Sequence, residues 1–159
     1  MEIKQIDGNL LDSKAELIMH QVNCQGKMNS GVAKAIREKW PVVYQSYLKL
    51  IGEKIYASEK GFSLLGVVQP ITVSDTQKVL NLFGQEKYGY DGKQYTSYKA
   101  IETCFRKVAS YCTENGYKTV AMPYKMSCDR GGADWDTIMN LLTESFKNTD
   151  VTIEIWKLN

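Results

Sequence analysis

The spacing of apolar residues changes several times along the chain, and each change marks an element. Met1 to Ile6 alternates between apolar and polar positions, which predicts a short strand closed by Gly8-Asn9. Leu17-Ile18-Met19-His20-Gln21-Val22 is mostly apolar, the pattern of a central strand covered on both faces. Loop chemistry follows from Asn23 to Gly31. A helix is predicted from near Ser30, whose hydroxyl suits a cap. Val32, Ile36 and Trp40 recur at a helical interval and form its expected buried stripe. Pro41 stops that helix and opens the next, where its missing N–H costs little. Tyr44, Tyr47, Leu48 and Ile51 are the expected apolar face of the second helix.

Val67 to Val73 and Lys78 to Phe83 predict two strands joined as a hairpin around Ser74-Asp75-Thr76-Gln77. Gly84 to Tyr95 is polar and rich in tyrosine, which predicts a surface loop. Ser97 is placed to cap a long helix with Tyr98, Ile101, Phe105, Val108 and Cys112 on one face, ended at Gly116. Thr119 to Met122 is a short strand stopped by Pro123, and Met126 to Ala133 is a second glycine-bearing loop. Asp134 caps a helix carrying Trp135, Ile138, Leu142 and Phe146, and Val151 to Trp156 alternates as a last strand. Strands and helices alternate without a repeat or linker. The expectation is one α/β domain over residues 1–159, with a mostly parallel or mixed sheet between helical layers.

Composition narrows the classes. With 43% hydrophobic and 24% charged residues, the chain can bury a core and is not disordered. A net charge of +2 does not advertise a polyanion-binding surface, so nucleic acid is not an expected partner. No apolar run approaches the roughly 20 residues of a membrane span. The N-terminal residues lack the basic-then-apolar pattern of a signal peptide, which makes a cytoplasmic location the default expectation. Cys24, Cys104, Cys112 and Cys128 form no C-x-x-C pair and no metal-like spacing with His20, the only histidine. Neither a disulfide framework nor a zinc site is expected. Cys104 and Cys112 read as small buried hydrophobes.

Two strand–loop–helix junctions, at residues 23–31 and 124–134, carry the candidate chemistry. Ligands of open α/β sheets bind at the carboxyl ends of strands, and helix N-termini there offer amides to phosphate. Neither junction holds a dinucleotide fingerprint or a P-loop, and a plain connector stands beside a phosphate loop as a reading of each.

Taken together, these segments resemble the macro domain family. Ile6-Asp7-Gly8-Asn9-Leu10-Leu11, then Leu17 to Asn23, then Gly31-Val32-Ala33 looks like the family's opening. Pro123-Tyr124-Lys125-Met126-Ser127-Cys128-Asp129-Arg130-Gly131-Gly132-Ala133-Asp134-Trp135 is similar to its second phosphate loop, P-x-x-I-G-C-G-x-x-G-G-D-W. Thr152-Ile153-Glu154-Ile155 matches its closing strand. The resemblance covers nearly the whole chain. It is nearest to the branch of ADP-ribose 1″-phosphate phosphatases and terminal ADP-ribose glycohydrolases, whose bacterial and phage members Asn81-Leu82-Phe83-Gly84-Gln85 and Thr96-Ser97-Tyr98-Lys99-Ala100 also resemble. It implies a three-layer α/β/α fold with a central mixed sheet. The implied ligand is ADP-ribose or its 1″-phosphate, free or on a macromolecule, with no cofactor and no metal.

By position, the resemblance implies that Asn9 and Leu10 meet the adenine and that Asn23 faces the distal ribose. It implies that Lys27, Met28, Asn29, Ser30, Gly31 and Val32 wrap the diphosphate and distal ribose, and that Met126, Ser127, Cys128, Asp129 and Arg130 close from the other side. His20 matches a histidine of the phosphatase members and, with Asn23, is the implied catalytic pair. A hydrogen-bonded core histidine and an Asx-turn asparagine are the alternatives for these two positions. Departures shape the expected activity. Ala33 stands where the de-mono-ADP-ribosylating branch has aspartate, Gln85 near the glycohydrolases' nucleophilic lysine, and Gly131 where they carry aspartate. Ser127 and Asp129 replace two glycines, and Asp129 beside a diphosphate needs to turn outward or pair with Arg130 or Lys125. Cys24 and Cys128 have no second histidine to activate a thiolate, and Asp134 reads as a helix cap. The expected activity is ADP-ribose 1″-phosphate phosphatase or ADP-ribosyl ester hydrolase, with a non-catalytic ADP-ribose reader as the alternative.

Overall fold

The computed structural model describes residues 1–28, 31–58, 63–86, 94–128 and 131–158. Strands β1 (Glu2–Asp7), β2 (Leu17–Asn23), β3 (Val68–Thr72), β4 (Lys78–Gln85), β5 (Thr119–Pro123) and β6 (Thr152–Lys157) form one sheet in the order β1-β6-β5-β2-β4-β3. All neighbours run parallel except the β3–β4 hairpin. Helices α1 (Gly31–Lys39), α2 (Pro41–Ser58), α3 (Tyr98–Asn115) and α4 (Trp135–Phe146) cover it.

The pleat of the central strands sorts the helices into layers. Ile18 and Val22 of β2, with Val79 and Phe83 of β4, meet Ile36 of α1 and Val43, Tyr47 and Ile51 of α2. Leu17 and Met19, with Leu80 and Leu82, point the other way, onto Ile101, Phe105 and Val108 of α3 and Ile138, Leu142 and Phe146 of α4. This is the expected mixed sheet between two helical layers. Each fully buried Leu, Ile or Phe adds about 1.5–3 kcal/mol to holding them together. The edge strands suit their places: β1 is mostly exposed, and Pro70 lies in edge strand β3.

Local signals set the helix ends. The Ser97 side chain accepts from the Ala100 amide at 3.1 Å, Gly116 ends α3 at φ 73°, and Asp134 accepts from the Thr137 amide at 3.0 Å. Such N-caps contribute about 1 kcal/mol each. Ser30, the expected cap of α1, lies outside the described residues. Two helix faces differ from expectation. Val32 is 36% and Leu48 41% exposed, so Ile36 alone is buried in α1, and the inner face of α2 is Val43-Tyr47-Ile51. Tyr44 sits on the flank of α2, with the Arg37 guanidinium 3.8 Å from its ring centroid. Strand β4 also runs past Phe83 to Gln85, because Ser97 donates its amide to the Gly84 carbonyl and Gln85 bridges to Thr96.

Candidate functional site

β2 and β5 are parallel neighbours, yet their following helices leave in opposite directions. α1 packs on one face of the sheet and α4 on the other. Their loops therefore diverge at the carboxyl ends of the strands, the place where open α/β sheets bind ligands. The first-turn amides of α1 and α4 have no intrahelical acceptors and carry the positive end of each helix dipole.

The first loop, 23–28, is a self-contained turn. Asn23 is 7% exposed. Its Oδ1 accepts from the Gln25 amide at 2.9 Å and the Lys27 amide at 3.4 Å, and its Nδ2 donates to the Lys27 carbonyl at 2.9 Å. The Cys24 amide donates to the Glu86 carbonyl, and the Gly26 amide to the Tyr47 hydroxyl. The amides of residues 24–27 are therefore consumed inside the protein, and donors open to a ligand begin only after Lys27. Met28 is fully buried, backbone included, and anchors the end of the loop in the core. Beyond it, Gly31 and Val32 begin α1, and Val32 is exposed.

The second loop, 124–133, is held by one side chain from β2. Gln21 Nε2 donates to Gln85 Oε1 at 2.6 Å and to Thr96 Oγ1 at 2.9 Å, while its Oε1 accepts from Ser127 Oγ at 2.6 Å. Thr96 in turn donates to the Ser127 carbonyl at 3.0 Å, and the Ala133 amide does the same. Tyr95 and Thr96 both donate their amides to the Gly131 carbonyl. A Cβ on Gly131 would collide with Thr96 Oγ1 and the Ser127 carbonyl, so no side chain fits there. Lys125 and Ser127 take left-handed conformations at φ 55° and 74°, uncommon for non-glycine residues. Met126 is 4% exposed and anchors the loop in the core, like Met28 opposite.

The remaining expected site residues fall in three groups. Asn9 is exposed at the end of β1. Its Oδ1 accepts from the Leu11 amide at 3.0 Å, capping the short 3-10 turn Leu10–Asp12, and a second lone pair stays available. Leu10 turns its side chain into the core, leaving its backbone at the surface turn. Asn29, Ser30, Asp129 and Arg130 lie outside the described residues.

His20 differs most from its expected role. It is 1% exposed on the α1/α2 face, with Nε2 2.6 Å from Asn81 Oδ1. Asn81 donates onward to Gln69 Oε1, and Gln69 to the Ser46 carbonyl, so a polar strut crosses β2, β4 and β3 to α2. The strut assigns the proton to Nε2, and Nδ1 has no partner. Burial lowers the pKa of His20 to about 4, against a smaller upward pull from the Asn81 bond. The placement is that of the core alternative: a neutral, enclosed imidazole is poorly set to protonate a leaving oxygen. The thiols are equally inert. Burial, then Glu86, pushes Cys24 up to about 11; burial and Asp134, against Lys125, push Cys128 up to about 11. Gln21, Tyr47 and Thr96 are the site-shaping residues that sequence reasoning missed. The one available signal was an uncharged polar residue, Gln21, inside an apolar central strand.

The Macro domain family model matches residues 19–142. The chain is a macro domain. This macro domain is 21% identical over 157 residues to a DNA ADP-ribosyl glycohydrolase of Thermus aquaticus, covering 97% of the chain and 40% of that protein. It is 39% identical over 46 residues to an ADP-ribose 1″-phosphate phosphatase of Aspergillus oryzae, covering 28% of the chain and 23% of that protein. The chain thus spans about 40% of the length of the DNA ADP-ribosyl glycohydrolase relatives. Among solved structures, a macrodomain protein from Streptomyces coelicolor superposes with a TM-score of 0.79 at 21% identity, covering 98% of each chain. Thermosipho africanus DarTG in complex with ADP-ribose superposes with a TM-score of 0.77 at 17% identity, over 98% of this chain and 41% of that one. The fold expectation from sequence and the family agree, and macro-domain relatives include hydrolases.

Proposed function

We propose that this macro domain binds ADP-ribose in the crevice between the loops that follow β2 and β5. The observation that carries this reading is the divergence of α1 and α4 from neighbouring parallel strands, which leaves the loops after β2 and β5 side by side at the carboxyl ends of the sheet. Asn9, two strands away across β6 and β5, is placed for the adenine end. Gly31 and Val32, exposed at the start of α1, offer backbone on one side of the diphosphate, with the Ser127-Cys128 turn on the other. Lys27 is exposed beside the first loop and adds a cation for the phosphates. The Thermosipho complex supports the ligand. ADP-ribose carried on a macromolecule fits the same open crevice, and the DNA-directed names of the relatives point to nucleic acid as one carrier. Calorimetric titration with ADP-ribose tests the reading; absence of heat and of any thermal shift at millimolar ligand rejects it.

A second reading is hydrolysis at the distal end, of the 1″-phosphate or of an ADP-ribosyl ester. The match to the Aspergillus phosphatase favours it. In this site such chemistry falls to amide donors that neutralise developing charge around an attacking water. Neither His20 nor the raised thiols supply a nucleophile or acid, and Gln85 carries no amine for covalent ribose capture. Phosphate release from ADP-ribose 1″-phosphate separates hydrolase from reader.

A further inference from the structure

Tyr47 does more than fill the core. It is fully buried on α2, its ring 5.7 Å from that of Phe83. Its hydroxyl lies 2.5 Å from the Asn23 carbonyl and 2.8 Å from Asn23 Oδ1, and it accepts from the Gly26 amide at 3.2 Å. One phenolic proton is thus shared between two Asn23 oxygens while the oxygen takes a third bond from the loop. Burial keeps the pKa of that hydroxyl above the ordinary tyrosine value, so it stays a neutral donor across physiological pH. Two further contacts seat the turn on the same helix. Tyr44 reaches the Gly26 carbonyl at 3.4 Å, and the open face of Gly26 lies on Leu48 and Ile51. Asn23 folds the turn, but α2 decides where the folded turn sits. Just beyond it the chain runs through buried Met28 to the α1 N-terminus.

We propose that Tyr47 is a positioning residue for the ligand, acting through Asn23 and Gly26 to hold the first loop in its binding shape before ligand arrives. The inference rests on the ADP-ribose reading. A preset turn spares the ligand the cost of ordering it. Removing the hydroxyl leaves two buried groups of the loop without their partner while the ring still packs.

The test is Tyr47→Phe, compared with wild type in calorimetric titrations against ADP-ribose and against AMP, with amide hydrogen exchange of residues 24–28. The expected result is an about tenfold loss of ADP-ribose affinity. AMP, which lacks the distal half, should change less than about twofold, and the Gly26 amide should exchange faster. Asn23→Ala should give a similar loss that does not add to that of Tyr47→Phe, because both act on one turn. ADP-ribose affinity unchanged in a variant with faster loop exchange overturns the proposal. Equal losses for both ligands, or additive losses in the double variant, also overturn it, since they indicate general loosening. A wild type that does not bind ADP-ribose overturns the functional reading and this one together, whereas a binding wild type with an equally binding Tyr47→Phe overturns this one alone.

Discussion

The first loop turns through a glycine, Gly26 at φ 76°, whereas the second turns through Lys125 at φ 55° and Ser127 at φ 74°. The first is closed by hydrogen bonds between near neighbours, Asn23 to residues 25 and 27, and is tied to the rest of the fold by the Tyr44 and Tyr47 hydroxyls and the Glu86 carbonyl. The second is closed by side chains far away in sequence: Gln21 reaches Ser127 across 106 residues, and Thr96 reaches it across 31. A locally closed turn takes its bend from its own residues and needs α2 only to seat it, whereas a distantly closed one exists only when β2, β4 and β5 are assembled. The left-handed strain at Lys125 and Ser127 is tolerable because that assembly over-determines it.

Four changes sharpen or break this contrast. The largest effect is expected at Gly131, where a methyl group has no room. Gly131→Ala should destabilise by about 3 kcal/mol in chemical denaturation, beyond the loss at Gly26→Ala. At Gly26 the added carbon meets only the movable end of Leu48, 3.3 Å away, although its positive φ still exacts a strain cost. A smaller loss at Gly131 than at Gly26 would contradict the view of the second loop as the tighter structure.

Next comes pH, which tests whether the loops fail together, since His20 and the two loop anchors Gln21 and Asn23 share β2. The folded pKa of His20, about 4, lies below the ordinary histidine value of 6.5. The unfolded chain therefore takes up a proton that the native one refuses as pH falls from about 6.5 to 4, and below that both are protonated. Stability is full above that window and should fall by about 2–3 kcal/mol across it. His20→Gln, which keeps a donor for Asn81, should flatten the slope; an unchanged slope would remove His20 from the account.

Gln21→Leu should cost about 2 kcal/mol, because it takes the acceptor from the Ser127 hydroxyl and one donor each from Gln85 and Thr96, and should speed hydrogen exchange in the second loop but not in residues 24–27. The smallest effect is a gain. Lys125→Gly should raise stability by about 0.5 kcal/mol by relieving an exposed left-handed lysine, readable as a slightly higher melting temperature.

Sequence patterns found the six strands and four α-helices of the described residues, though not the 3-10 turn Leu10–Asp12, because periodicity and caps are local. Ser97, Gly116 and Asp134 each act on residues a few positions away. The helix faces were less legible. Val32 and Leu48 belong to apolar stripes, yet which part of a stripe is buried depends on how the helix lies on the sheet. The crevice was legible as two junctions in order. The roles of the residues beside it were not. Asn23 is spent on its own loop, His20 on a strut ending at Ser46, and Gln21, marked in sequence only as a polar residue in an apolar strand, joins three segments. These assignments follow from partners separated by tens of residues, which no spacing rule encodes.

The pairing of β1 with β6 has a consequence for how the molecule comes into being. Among the described residues the first strand pairs with the last alone, Glu2 opposite Thr152, and the Met1 amine reaches the Thr149 carbonyl 148 residues away. Closing so long a loop is entropically slow, so this edge is expected to dock late in folding. Asn9, carried at the end of β1, then takes its place only after β6 is in the sheet. During synthesis, the loops after β2 and β5 can come together before Asn9 reaches its place, so under the proposed ADP-ribose reading a nascent chain would grip phosphates before it could recognise a nucleoside.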